Sequence, residues 1–219
     1  MLVARDDASR ACAQWFAQAE APVQHVDLLL LASCTAEQGD PRALELAARL
    51  AERQPVEADL VRARYFARRG DDAAAGERLL AAIIGYRQDP WAYRELVRRT
   101  LPLALDLGRH DRALAERLYQ ALGEPFAIDM FRTERLILRF GLTALANPDP
   151  RRCAEALAPF EPNPLWDEGF LAARAECYAK LGHPLAARAA ADLERFRDDA
   201  PPRIMVGAPS PQGPAAAPR

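Results

Sequence analysis

Lysine is almost missing from this chain of 219 residues: 28 of its 29 basic side chains are arginine, and Lys180 is the exception. The two signs of charge nearly cancel, 29 basic against 31 acidic, for a net −2 at neutral pH. That balance excludes nucleic acid as the main partner, which calls for a basic field. Histidine is scarce too, with three residues, and the four cysteines (Cys12, Cys34, Cys153, Cys177) stand far apart. No Cys-x-x-Cys occurs and no histidine lies at ligand spacing, so these cysteines read as buried, reduced thiols within helices. Leu28 to Leu31 falls far short of the ~20 apolar residues that a membrane span needs. Residues 1–10 carry Arg5, Asp6, Asp7 and Arg10 in place of the apolar core of a signal peptide. A cytoplasmic protein that contacts no membrane is expected.

Catalytic signatures are missing as well. The sequence holds no Gly-x-Ser-x-Gly, no phosphate loop ending in Gly-Lys and no His-Glu-x-x-His. His110 and His183 fall in inter-helix turns, where a polar cap is the simpler role. His25 and Asp27 form a lone His-x-Asp pair of the kind found at solvated helix ends. Glu161, Asp167 and Glu168 flank Trp166, where acid favours the start of a helix. No catalytic residue, cofactor or metal is expected.

What the chain does have is helical periodicity. Its hydrophobic content of 50% is that of a globular protein. A chain this long buries roughly 70% of its unfolded surface. The most legible stretch is 170–196. Leu171, Ala175, Tyr178 and Leu181 share one helix face, Gly182 stops that helix, and Pro184 opens the next. Ala186, Ala187, Ala190, Leu193 and Phe196 are the expected apolar face of the second helix. The same unit recurs upstream. Helices are expected over 8–20, 22–38, from Pro41 to before Pro55, and 56–69. After the Gly70-Asp71-Asp72 turn a partner helix carries Ala75, Leu79, Ala82 and Ile83, and the next runs over 91–107 with a break at Pro102. Further helices are expected over 111–122, 126–146 and 151–160. The turns carry Gly39, Gly70 and Gly108, with Asn147-Pro148-Asp149-Pro150 replacing the glycine in the fourth pair.

The recurring unit is close to the ~34-residue tetratricopeptide period, and the residues at fixed positions resemble that family over about 21–197. Ala32, Ala63, Gly141 and Ala175 supply the small residue of the first helix. Phe66 and Tyr178 supply the aromatic three positions on, where Thr35 and Ala144 depart from the pattern. Leu107-Gly108 and Leu181-Gly182 match the turn, Ala75, Ala113 and Ala187 the second helix, and Pro55, Pro90, Pro125 and Pro164 the unit's end. Leu101 and Pro102 break the pattern in the third pair.

The resemblance implies an all-α fold: a right-handed superhelical array of antiparallel helix pairs, an α-solenoid. The expected layout is a leading helix over 1–20, five pairs over 21–199, and a disordered Pro/Ala-rich tail over 200–219. It also implies a scaffold that binds a protein or peptide in a concave groove lined by the first helices. In that arrangement Arg64, Arg68, Arg98, Arg99, Arg135 and Arg139 would form a basic stripe. Such a stripe suits an acidic partner or a free C-terminal carboxylate. The alternative reading of the same arginines is solvated or ion-paired surface, with Glu57, Glu95 and Glu134 nearby. Tyr86, Trp91 and Tyr93 read either as groove aromatics or as packing between repeats. The chain also resembles helical modules at the carboxyl end of bacterial proteins with a spermidine-synthase-like domain. That likeness implies an accessory or assembly domain of a larger enzyme system, in polyamine or natural-product metabolism. Oligomeric state is not legible in the sequence.

Overall fold

Most of the stretches with 3.6-residue apolar spacing are helices in the described residues. The computed structural model describes residues 12–17, 24–146 and 149–199, and among these no strand occurs. Eleven α-helices run in order among the described residues: α1 (His25–Glu37), α2 (Arg42–Ala51), α3 (Pro55–Arg68), α4 (Asp72–Gly85), α5 (Arg94–Thr100), α6 (Leu103–His110), α7 (Arg112–Ala121), α8 (Arg132–Leu142), α9 (Pro150–Leu157), α10 (Glu168–Leu181) and α11 (Ala186–Asp199). Residues 12–16 form a further short helical stretch. None of the described helices is long and apolar enough to cross a membrane. The rest of the expected leading helix, Pro22, the Asn147-Pro148 part of the fourth turn and the tail over 200–219 lie outside the described residues.

The turns follow from local chemistry. Gly39, Gly70 and Gly182 take φ of 67°, 76° and 63°, the left-handed region that a Cβ disfavours. Aspartates then open the helices by accepting orphan backbone N–H groups. Asp71 accepts from Ala74 N, Asp111 from Ala113 N and Leu114 N, Asp149 from Arg151 N, and Asp167 from Phe170 N. Asp40 accepts from Arg42 N in the same way at 2.9 Å. The expected break at Pro102 separates α5 from α6.

Four expectations change. Gly108 lies inside α6, not in a turn. A Cβ there would come within 3.2 Å of the Ala115 methyl and 3.1 Å of Leu142, so this glycine serves close helix packing. The expected helix over 126–146 is shortened to α8. Phe126 is buried, and Ala127 N–H donates to the Tyr86 carbonyl at 2.8 Å, which holds this segment off the helix path. The helix after Gly182 begins at Ala186, and its most buried residue is Ala189, while Ala187 and Ala190 are exposed. Facing it, Arg174 is fully buried in α10 because Asp192 of α11 pairs with it at 2.8 Å.

The cysteine reading changes as well. Cys12 and Cys34 form a disulfide, with Cα atoms 6.3 Å apart, and none of the cysteines is free. Sequence separation is silent about which helix faces meet, and here helix packing brings the two thiols together. The cytoplasmic expectation rested partly on reduced thiols and loses that support, since disulfides persist in oxidising compartments.

The chain divides into two compact units, Met1–Glu161 and Pro162–Arg219. The second contains the α10/α11 pair. In the first, each helix packs mainly on its neighbours along the chain: α1 on α2 and α3, α3 on α4 and α5, α6 on α7 and α8, α8 on α9. α4 packs on both α6 and α7. A single apolar cluster runs through this unit from Cys12 to Ala156, with Leu29, Leu50, Leu60, Leu79, Ile83, Leu101, Leu118 and Leu122 at 2% exposure or less.

Candidate functional site

The six arginines of the expected stripe have unequal fates. Arg64 points between helix pairs, donating to the Glu37 carboxylate of α1 and, at 2.5 Å, to the Arg99 carbonyl at the end of α5. Burial pulls its pKa down and the Glu37 charge opposes that. Arg68 donates to the Glu37 carbonyl at 2.7 Å, and Arg99 pairs with Glu95 at 2.8 Å. Arg135 is buried and donates to the carbonyls of Leu122 and Gly123 at 2.5 and 3.2 Å, capping α7. Arg139 lies over the Tyr119 ring, 4.7 Å from its centroid. Only Arg98 of the six is exposed with no partner among the described residues.

Other arginines join one helix pair to the next in a recurrent way. Arg87 donates to the Ala121 carbonyl and Arg112 to the Ala146 carbonyl, each 34 residues along. Arg117 pairs with Glu77 and Arg152 with Glu116, 40 and 36 residues back. Helix ends leave carbonyls without intrahelical donors, and a guanidinium carries five donors in a fixed fork. Much of the arginine therefore serves the architecture.

Among the described residues the most exposed large apolar side chain is Trp91, at 84%. The loop that carries it is fixed by two carboxylates. Asp89 accepts from Trp91 N–H at 2.8 Å, and Glu57 accepts from Tyr93 N–H at 3.0 Å. Glu57 is 1% exposed, and burial pushes its pKa up against the stabilising Tyr93 hydrogen bond. Tyr86, buried beside it, presents its hydroxyl to Glu57 without a hydrogen bond of good geometry. Burial and the Glu57 and Asp89 charges push the phenol's pKa up. Ahead of this buttress lies an open concavity of about 500 Å³ lined by Trp91, Ala92, Tyr93, Arg94, Glu95 and Arg98. Arg94 and Arg98 are exposed, stand one helical turn apart and have no partner among the described residues. Arg94 was missed in the sequence. The Trp-x-x-Arg-x-x-x-Arg spacing that places it beside Trp91 was visible there.

The histidines are all occupied. His25 meets Arg53 at 2.8 Å, His110 meets Asp72 at 3.0 Å, and His183 stacks on Tyr178 and accepts from Leu185 N–H. Asp167 caps α10, and Glu168 pairs with Arg197. Among the described residues no group of three or more His, Cys, Asp or Glu could hold a metal ion. Compared with family models, curated proteins and solved structures, the chain finds no match in any of the three.

Proposed function

We propose that this chain is a non-catalytic scaffold that binds a protein or peptide, built from tetratricopeptide-like helix pairs. In the unit Met1–Glu161 the first helices of the pairs (α1, α3, α5 with α6, and α8) would line the concave side of a right-handed superhelix. One observation carries this reading: polar contacts recur between residues 34 to 40 positions apart, joining the second pair to the third and the third to the fourth. Such nearest-neighbour stacking is the hallmark of solenoid proteins, whose extended faces serve binding.

The test selects binders from a displayed library of random peptides using the full chain, then maps their footprint by hydrogen exchange. Protection is expected on α3, α5 and α8. A library that yields no binders, or protection confined to α2, α4 and α7, would remove the reading.

A further inference from the structure

We infer that the Trp91 ledge is a docking site for an extended segment bearing an apolar residue followed by two acidic side chains at alternate positions. The inference rests on the scaffold reading and names the partner chemistry of one face. The Asp89 and Glu57 hydrogen bonds fix the backbone of the loop that carries Trp91, which lowers the cost of ordering that loop on binding. An exposed tryptophan with arginines is the composition of binding hot spots. Arg94 and Arg98 are separated by four residues of helix, a rise of roughly 6 Å. Alternate side chains of an extended segment are spaced roughly 6.8 Å apart on one face. Two carboxylates at i and i+2 therefore meet the two guanidiniums in register, and the apolar residue two positions earlier falls toward the indole. Glu95 pairs with Arg99 at 2.8 Å and also feels the Arg98 charge, so three guanidiniums face one carboxylate here and the ledge keeps a net positive charge for the partner.

The shape selects a macromolecule. All the lining residues come from the single stretch 91–98, which is open on the other side. Small-molecule sites instead enclose roughly 70–90% of their ligand. Two cations also fall short of the roughly four to eight that hold a protein on anionic lipid.

The experiment titrates the full chain into fluorescein-labelled Leu-Ser-Asp-Ser-Asp, blocked at both ends, and follows anisotropy. The expected result is saturable binding that weakens with added salt. Leu-Ser-Asn-Ser-Asn, blocked likewise, should bind at least about tenfold more weakly, as should Trp91→Ala or Arg94→Gln with Arg98→Gln acting on the acidic peptide. Arg109→Gln, outside the ledge, should leave binding unchanged, and circular dichroism should show every variant folded. Equal binding of the acidic and amide peptides would overturn the inference. So would binding that requires an unblocked carboxyl terminus, or Arg98-dependent capture by vesicles of phosphatidylserine and phosphatidylcholine in equal parts. If library-selected peptides bind while the acidic peptide does not, the scaffold stands and this site falls. If no peptide of either kind binds, both fall.

Discussion

At the scale of single residues, the most informative group is Glu57, a carboxyl at 1% exposure behind the Trp91 loop. Burial raises its pKa above the ordinary carboxylate range, with Tyr86 and Asp89 beside it and the Tyr93 N–H as its bonded partner. A folded-state pKa above the unfolded one means the folded protein holds the proton more tightly. Stability from this group is then fully present below the unfolded pKa and is lost as pH rises through the folded one. Glu57→Gln keeps an acceptor for Tyr93 N–H and removes the charge. It should raise Tm at pH 7.5 by about 2–4 °C, the equivalent of about 1 kcal/mol, and give no gain at pH 4. A gain of equal size at both pH values would show that charge burial is not the cause. Glu57 entered the sequence reading only as a neighbour of arginines, because nothing in a helix's first turn tells a solvated carboxylate from a buried one. The arginines were opaque for a related reason. Their positions on the first helices were legible, but their partners include backbone carbonyls such as those of Leu122 and Glu37, which every sequence supplies everywhere.

Helices and turns were far more legible, since apolar periodicity and caps are local properties. The glycine series misplaced one turn, at Gly108, and skipped the fourth pair. The aspartates are a better marker. Asp40, Asp71, Asp111 and Asp149 each accept a backbone N–H at the start of α2, α4, α7 and α9. Gly108 misled because a helical glycine chosen for close approach to Ala115 looks the same in sequence as one chosen for its backbone. The segment after Gly123 misled because Ala127 pairs with Tyr86, a contact made across the repeat. Asp111 tests the importance of the caps. Losing its two accepted N–H bonds, Asp111→Ala should cost about 1 kcal/mol and lower Tm by about 2–4 °C. Asp111→Asn, nearly as good a cap, should lie within about 1 °C of the parent. If both variants melt alike, the cap is not what starts α7.

For the whole molecule, the question is whether stability spreads evenly or passes from neighbour to neighbour. The Cys12–Cys34 disulfide sits at one end of the apolar cluster of Met1–Glu161 and ties residues 12–17 to α1. Cys12 is 3% exposed, Trp15 and Phe16 pack against the cluster, and the Arg42 guanidinium lies 3.7 Å from the Phe16 ring centroid. Closing a loop of 22 residues constrains the unfolded chain by about 3 kcal/mol. Cys12→Ser with Cys34→Ser should therefore lower the Tm of the α1 end by on the order of 6–12 °C. Because α1 packs mainly on α2 and α3, the damage should also be local. Under native conditions, amide exchange in 12–17 and α1 should quicken, while that in α6 and α7 stays near the parent's. Equal loss of protection in α1 and α7 would mean the unit opens as a single cooperative block. An unchanged Tm would mean the covalent link adds nothing to packing already made by Trp15 and Phe16. The expected gradient of exchange, steep at α1 and flat by α7, is the solution signature of a stack in which each helix pair leans on the next.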